Sequence, residues 1–148
     1  MMSTQQLHIL RSTYIVTFMS AVLLIIIFET GMLAKGIYAY DSMTNYVCEM
    51  IGTFLTIVCI PLALKLMSFS MVKRMLNQDS GKYFTLSVVR ISLLALTLLY
   101  NVASYYLLGE DATLGYLALM AVVAFLFIWP SRGKMDYELE NARKQQDQ

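Results

Sequence analysis

A carboxylate set among apolar residues can take up and release a proton, and Glu29 is placed to be such a group. It stands in the run IIIFETG, residues 25–31, about 8 Å inside the outer end of an apolar stretch at the α-helical rise. An ionised carboxylate in hydrocarbon costs about 3 kcal/mol or more, so two outcomes are open. Either Glu29 faces other helices as a titratable site, or it reaches the outer headgroups and pairs with Lys35. The residues on its own helical face, Phe18, Val22, Ile25 and Met32, are apolar and draw no water path toward it.

Other polar residues fall at helical spacing within apolar stretches. Glu49 lies in the first turn of its stretch, where a carboxylate complements the helix dipole. Gly52, Thr53 and Thr56 lie within about 60° of it on a helical wheel and extend that face inward. Further along, Ser87, Arg90, Thr97, Asn101 and Ser104 fall within about 100° of arc. Polar atoms in lipid need partners, so this stripe is expected to point into a bundle, toward the Glu49–Thr53–Thr56 face. Interhelical hydrogen bonds of this kind average about 0.6 kcal/mol. Arg90 and Lys65 lie near inner ends and are expected to snorkel to the headgroups. Glu29, Glu49, Asn101 and Ser104 gather near the outer leaflet. An outward-opening acidic pocket with a polar seam would have this pattern, and so would an ordinary bundle with satisfied polar residues.

Several chemistries are excluded. The only histidine is His8, which rules out bis-histidine haem within one chain and the H-E-x-x-H zinc site. There is no C-x-x-C pair for thiol oxidation, no P-loop and no G-x-S-x-G elbow. The clustered aspartates with which a lipid headgroup transferase holds magnesium are missing. The expectation is a protein that is not an enzyme, with no metal and no cofactor.

The elements that must position these residues are four apolar stretches, residues 13–34, 46–68, 84–108 and 113–129. Each is expected to be long enough to cross a hydrocarbon core of ~30 Å. The chain is 58% hydrophobic and 14% charged, with mean hydropathy +0.60, against about 25% charged in a typical soluble domain. Residues 1–130 therefore read as one transmembrane domain and 131–148 as a tail. Of the 11 Lys and Arg residues, only Lys35 falls in an outer connection. Arg11, Lys65, Lys73, Arg74, Lys82, Arg90, Arg132, Lys134, Arg143 and Lys144 share the other side, which places both termini in the cytoplasm. The first stretch, at about 22 residues, is too long for the h-region of a signal peptide and no A-x-A site follows it. No lipidation motif is present: the chain ends RKQQDQ, and Met2 stands where myristoylation needs glycine.

Cys48 and Cys59 sit on one helical stretch about 16 Å apart in rise, beyond disulfide reach. Their expected role is small-residue packing. Ser42–Asn45 supplies N-cap candidates for the second stretch. Pro61 is expected to kink that stretch near its inner end. The connection after it should form a protruding hairpin. The turn at residues 109–112 is so tight that the third and fourth stretches must be antiparallel neighbours. Trp129 and Pro130 close the fourth at the inner interface. In the tail, Met135, Leu139 and Ala142 recur at helical spacing, and Glu140 precedes Lys144 by four.

The fold class is all-α: a polytopic membrane protein built as an antiparallel four-transmembrane-helix bundle with cytoplasmic N and C termini. The layout resembles that of small four-span bacterial membrane proteins, by arrangement and not by motif. Its location is the cell membrane, the inner one in a bacterium. Its expected partners are the lipid bilayer and either further copies of itself or another membrane protein, and not nucleic acid. Two roles follow. One is a non-enzymatic membrane subunit or scaffold. The other is a small carrier for a cation or amphiphile in which Glu29 alternates its protonation.

Overall fold

The computed structural model describes residues 4–38, 41–66, 80–129, 131, 133, 134, 136, 137, 140 and 144. Its helices are α1 (Thr4–Glu29), α2 (Ser42–Lys65), α3 (Ser80–Leu107) and α4 (Ala112–Phe127). The first three are long and apolar enough to cross a membrane. The fourth has 16 residues, ~24 Å at the helical rise, and none of them is charged.

The helix ends follow local chemistry. After α1, Gly31 takes φ 75°, its N–H bonds to the Phe28 carbonyl and Met32 N–H bonds to Ile27. That paired pattern is a Schellman cap. It ends the helix at Glu29, short of the Ala34 limit expected from hydropathy. The same cap closes α3, where Gly109 has φ 82° and Glu110 N–H reaches Tyr105 O at 2.8 Å. Asp111 then caps α4 by accepting from Thr113 N at 2.8 Å and Leu114 N at 3.4 Å. The N-cap of α2 is Asp41, one residue before the segment expected to supply it, and the Thr44 hydroxyl donates to its carboxylate. That bond holds the Asp41 carboxyl below its usual range.

Two boundaries differ from the hydropathy reading for a packing reason. The hydropathy reading begins the first stretch at residue 13, yet α1 is helical from Thr4. Leu7, Leu10 and Tyr14 fall on one face and are all buried, so docking outweighs the polar residues between them. Helix α2 continues past Pro61 to Lys65. The expected hairpin connection lies outside the described residues, as do Met135, Leu139 and Ala142 of the tail. Residues 133, 134, 136, 137, 140 and 144 are helical, and Glu140 pairs with Lys144 at 2.6 Å. The pair lowers the carboxyl pKa and raises the ammonium.

Helix α3 is the central element and packs against the other three. Its start, with the start of α1 and the ends of α2 and α4, forms one end of the bundle, called here the basic end. Leu10, Tyr14, Ala63, Ile91, Leu94, Ala124, Phe125 and Ile128 cluster there. At the opposite, acidic end the cluster is Ala21, Phe28, Leu98, Val102, Tyr106 and Ala121. Small residues let the backbones approach, as expected where lipid competes with protein for apolar contact. Gly52 is the tightest such point: a Cβ there would lie 2.7 Å from Asn101 Oδ1 and 2.9 Å from Leu114 Cδ2.

The outward surface is apolar on every helix. Val16 is 64% exposed, Phe54 68%, Leu96 57% and Phe127 67%. A water-soluble protein does not present apolar residues all round its circumference.

Candidate functional site

Three groups of polar contacts occupy the two ends and the middle of the bundle. The first is at the acidic end, where the Gly31 cap turns the chain back so that residues 36–38 lie against the end of α3. Gly36 N–H bonds to Tyr106 O at 2.9 Å and Tyr38 N–H to Leu107 O at 3.2 Å. This brings Lys35 over the Tyr106 ring, 5.1 Å from its centroid. Its ammonium donates to Glu29 Oε2 and to Glu110 Oε1, both at 3.1 Å. Tyr106 donates its hydroxyl to Glu29 Oε1 at 2.9 Å, while its ring stacks on Phe28 at 4.9 Å. Both Glu29 oxygens are therefore engaged, and the side chain is 56% exposed. Of the two outcomes open for Glu29, pairing with Lys35 at the surface is the arrangement found. Hydrogen bonding to Glu110, then to Glu29, raises the Lys35 pKa above its ordinary value.

The second group is the buried seam between α2 and α3. Asn101 Nδ2 donates to Thr56 Oγ1 at 2.9 Å, and Thr56 in turn donates to Gly52 O at 2.8 Å. Asn101 has no exposed surface and Thr56 is 2% exposed. Tyr100 OH reaches across to Cys48 O at 3.3 Å. Thr97 is fully buried but bonds to Leu93 O of its own helix at 3.0 Å. Ser104 is buried as well. The α3 stripe thus faces inward along its whole length.

The polar face expected on α2 divides. Gly52 and Thr56 turn toward α3, but Glu49 and Thr53 lie to one side. There they line a shallow cavity of about 410 Å³ with Tyr46, Met50, Phe54, Ile57 and Val58. Glu49 also meets the carboxyl of Asp111. Proximity on a helical wheel did not decide which of these residues a neighbouring helix would cover.

The third group is at the basic end. Arg90 was expected to snorkel outward; it is 7% exposed and turns into a cavity between α1, α3 and the segment after α4. Lys65, at the last position of α2, is exposed. Tyr14 OH donates to Phe125 O at 2.9 Å, and its ring meets Trp129 edge-on at 4.9 Å.

Tyr106, Glu110, Asp111, Tyr100 and Lys134 take part in these groups and were not anticipated. The adjacent acids in the GED turn were the one available signal, because a tight turn must meet the other connection at the same end. Comparison with protein-family models, curated proteins and solved structures finds no match to this chain.

Proposed function

We propose that this protein is a four-span membrane protein, with α4 as its shortest span, and that it acts as a non-enzymatic membrane subunit or scaffold. Its described helices would alternate in direction, leaving the N-terminus, the 67–79 connection and the tail on the cytoplasmic side. The distribution of Lys and Arg supports that orientation. Single cysteines at Gln78 and at Asp41, in a background with Cys48 and Cys59 replaced, are expected to label from opposite membrane faces. Labelling of both from one face would overturn the arrangement.

The observation that carries the subunit reading is the closed polar seam. Asn101 and Thr56 meet each other inside the bundle, both buried, as a packing device does. A carrier needs a protonatable group on a path. Glu29 lines neither the cavity at the basic end nor the one on α2, and Lys35 and Tyr106 occupy its oxygens.

The test is native mass spectrometry after mild-detergent extraction, together with proton release on adding cationic amphiphiles. The subunit reading expects a stoichiometric complex with a membrane partner or further copies. It also expects equal proton release from the wild type and Glu29→Gln. A monomer alone, with proton release lost in Glu29→Gln, would replace the subunit with the carrier.

A further inference from the structure

Along α2, Tyr46, Met50, Thr53 and Ile57 recur at steps of four, three and four residues. That is the spacing of a seam into which a second helix fits its own side chains. The structure leaves the seam open. Tyr46 is 61% exposed, Met50 56% and Ile57 65%, and all four residues line the shallow cavity of about 410 Å³ on this helix, with Glu49 at its edge. Lipid tails would cover an apolar seam at no cost, but they offer nothing to a polar group set in it. Thr56, on the side facing α3, returns its hydroxyl to Gly52 O at 2.8 Å, and Thr97 does the same to Leu93 O. The Thr53 hydroxyl makes no such bond among the described residues and lines the cavity instead.

The chemistry of the seam selects its occupant. A hydroxyl both donates and accepts, so Thr53 is complementary to another Thr53. An isologous pair of copies inserted with one topology has its two-fold axis along the membrane normal. The two α2 helices are then parallel and each seam residue meets itself. Thr53 falls beside the axis, with Met50 and Ile57 about one turn to either side. Glu49 stands about 70° around the helix from the middle of the seam. The two-fold therefore puts the two carboxyls on opposite flanks of the contact, each beside its own Asp111, and like charges are not opposed. A helix of another protein would have to supply a matching hydroxyl at the same depth, which a second copy does by construction.

We infer that the 46–57 face of α2 is a homodimer interface, closed by the same face of a second copy of this chain. The inference rests on the subunit reading and names its partner.

The experiment is oxidative cross-linking of the full chain in its native membrane, with one cysteine at a time in a background where Cys48 and Cys59 are replaced. Met50→Cys, Thr53→Cys and Ile57→Cys sample the seam. Ile51→Cys, Leu96→Cys and Leu119→Cys sample exposed positions on another side of α2, on α3 and on α4. The seam cysteines are expected to give roughly tenfold more disulfide-linked dimer, because a disulfide forms only where Cα atoms are held within about 7 Å. Met50 and Ile57 are exposed, so they keep the test valid if Thr53→Cys does not fold. No dimer from the seam cysteines, or equal dimer from every position, would overturn the interface. Native mass spectrometry of the wild type separates that result from failure of the subunit role. A complex with a different protein and no second copy, or a dimer that the seam cysteines do not trap, overturns the α2 interface and leaves the subunit role standing. A monomer alone removes both.

Discussion

Gly52→Ala is expected to destabilise the bundle by about 1–3 kcal/mol, the usual cost of overpacking a well-filled core. In an open helical position the same change would be favourable by about 1 kcal/mol, so the sign of the effect reports the packing. The added Cβ would stand 2.7 Å from Asn101 Oδ1 and 2.9 Å from Leu114 Cδ2. Neither neighbour can give way cheaply. Asn101 is held by its bond to Thr56, and both Asn101 and Leu114 are fully buried. Moving the amide breaks the one hydrogen bond described between a side chain of α2 and a side chain of α3, which adds about 0.6 kcal/mol. Gly133→Ala is the control, since nothing lies within 4 Å of its added methyl. Unfolding by titration with a denaturing detergent should show an earlier midpoint for Gly52→Ala and none for Gly133→Ala. A midpoint at or above that of the wild type for Gly52→Ala would mean that α2 does not approach α3 this closely.

The α3 stripe could be read from the sequence because lipid leaves polar side chains few places to go. Ser87, Arg90, Thr97, Asn101 and Ser104 share one arc, and all of them are buried. What that arc does not specify is the partner. Thr97 satisfies itself on Leu93 O, whereas Asn101 crosses to Thr56, and residue type alone does not separate the two. The position of Glu29 was less legible. Its surroundings depend on Gly31 adopting a left-handed conformation, which folds Lys35 back, and on Tyr106, 77 residues away. Hydropathy sees only the length of the apolar run and so carried the first stretch past the cap. It also missed α1 before residue 13, because an average over polar neighbours hides Leu7 and Leu10. Their burial depends on α3 and the segment after α4 being there to receive them.

That last contact leads to the other large effect, at the junction of α1 and α4. Phe125 is 1% exposed, its ring lies 4.3 Å from that of Tyr14 and 6.3 Å from that of Phe18, and its carbonyl accepts the Tyr14 hydroxyl. Removing the ring leaves a cavity among groups fixed by three helices. In a soluble core such a change costs about 3–5 kcal/mol. Part of that is transfer from water, which is weaker where lipid is the alternative surrounding, so about 2–3 kcal/mol is expected for Phe125→Ala. Tyr14→Phe keeps the stacked rings and removes only the hydroxyl, so it should cost about 0.6 kcal/mol. The comparison separates packing from hydrogen bonding as the force that holds α1. Detergent-unfolding midpoints of the two variants should differ severalfold in their shift, with Phe125→Ala the larger. If Tyr14→Phe matched or exceeded it, the hydrogen bond to the last turn of α4, rather than the ring stack, would be what keeps α1 against the bundle.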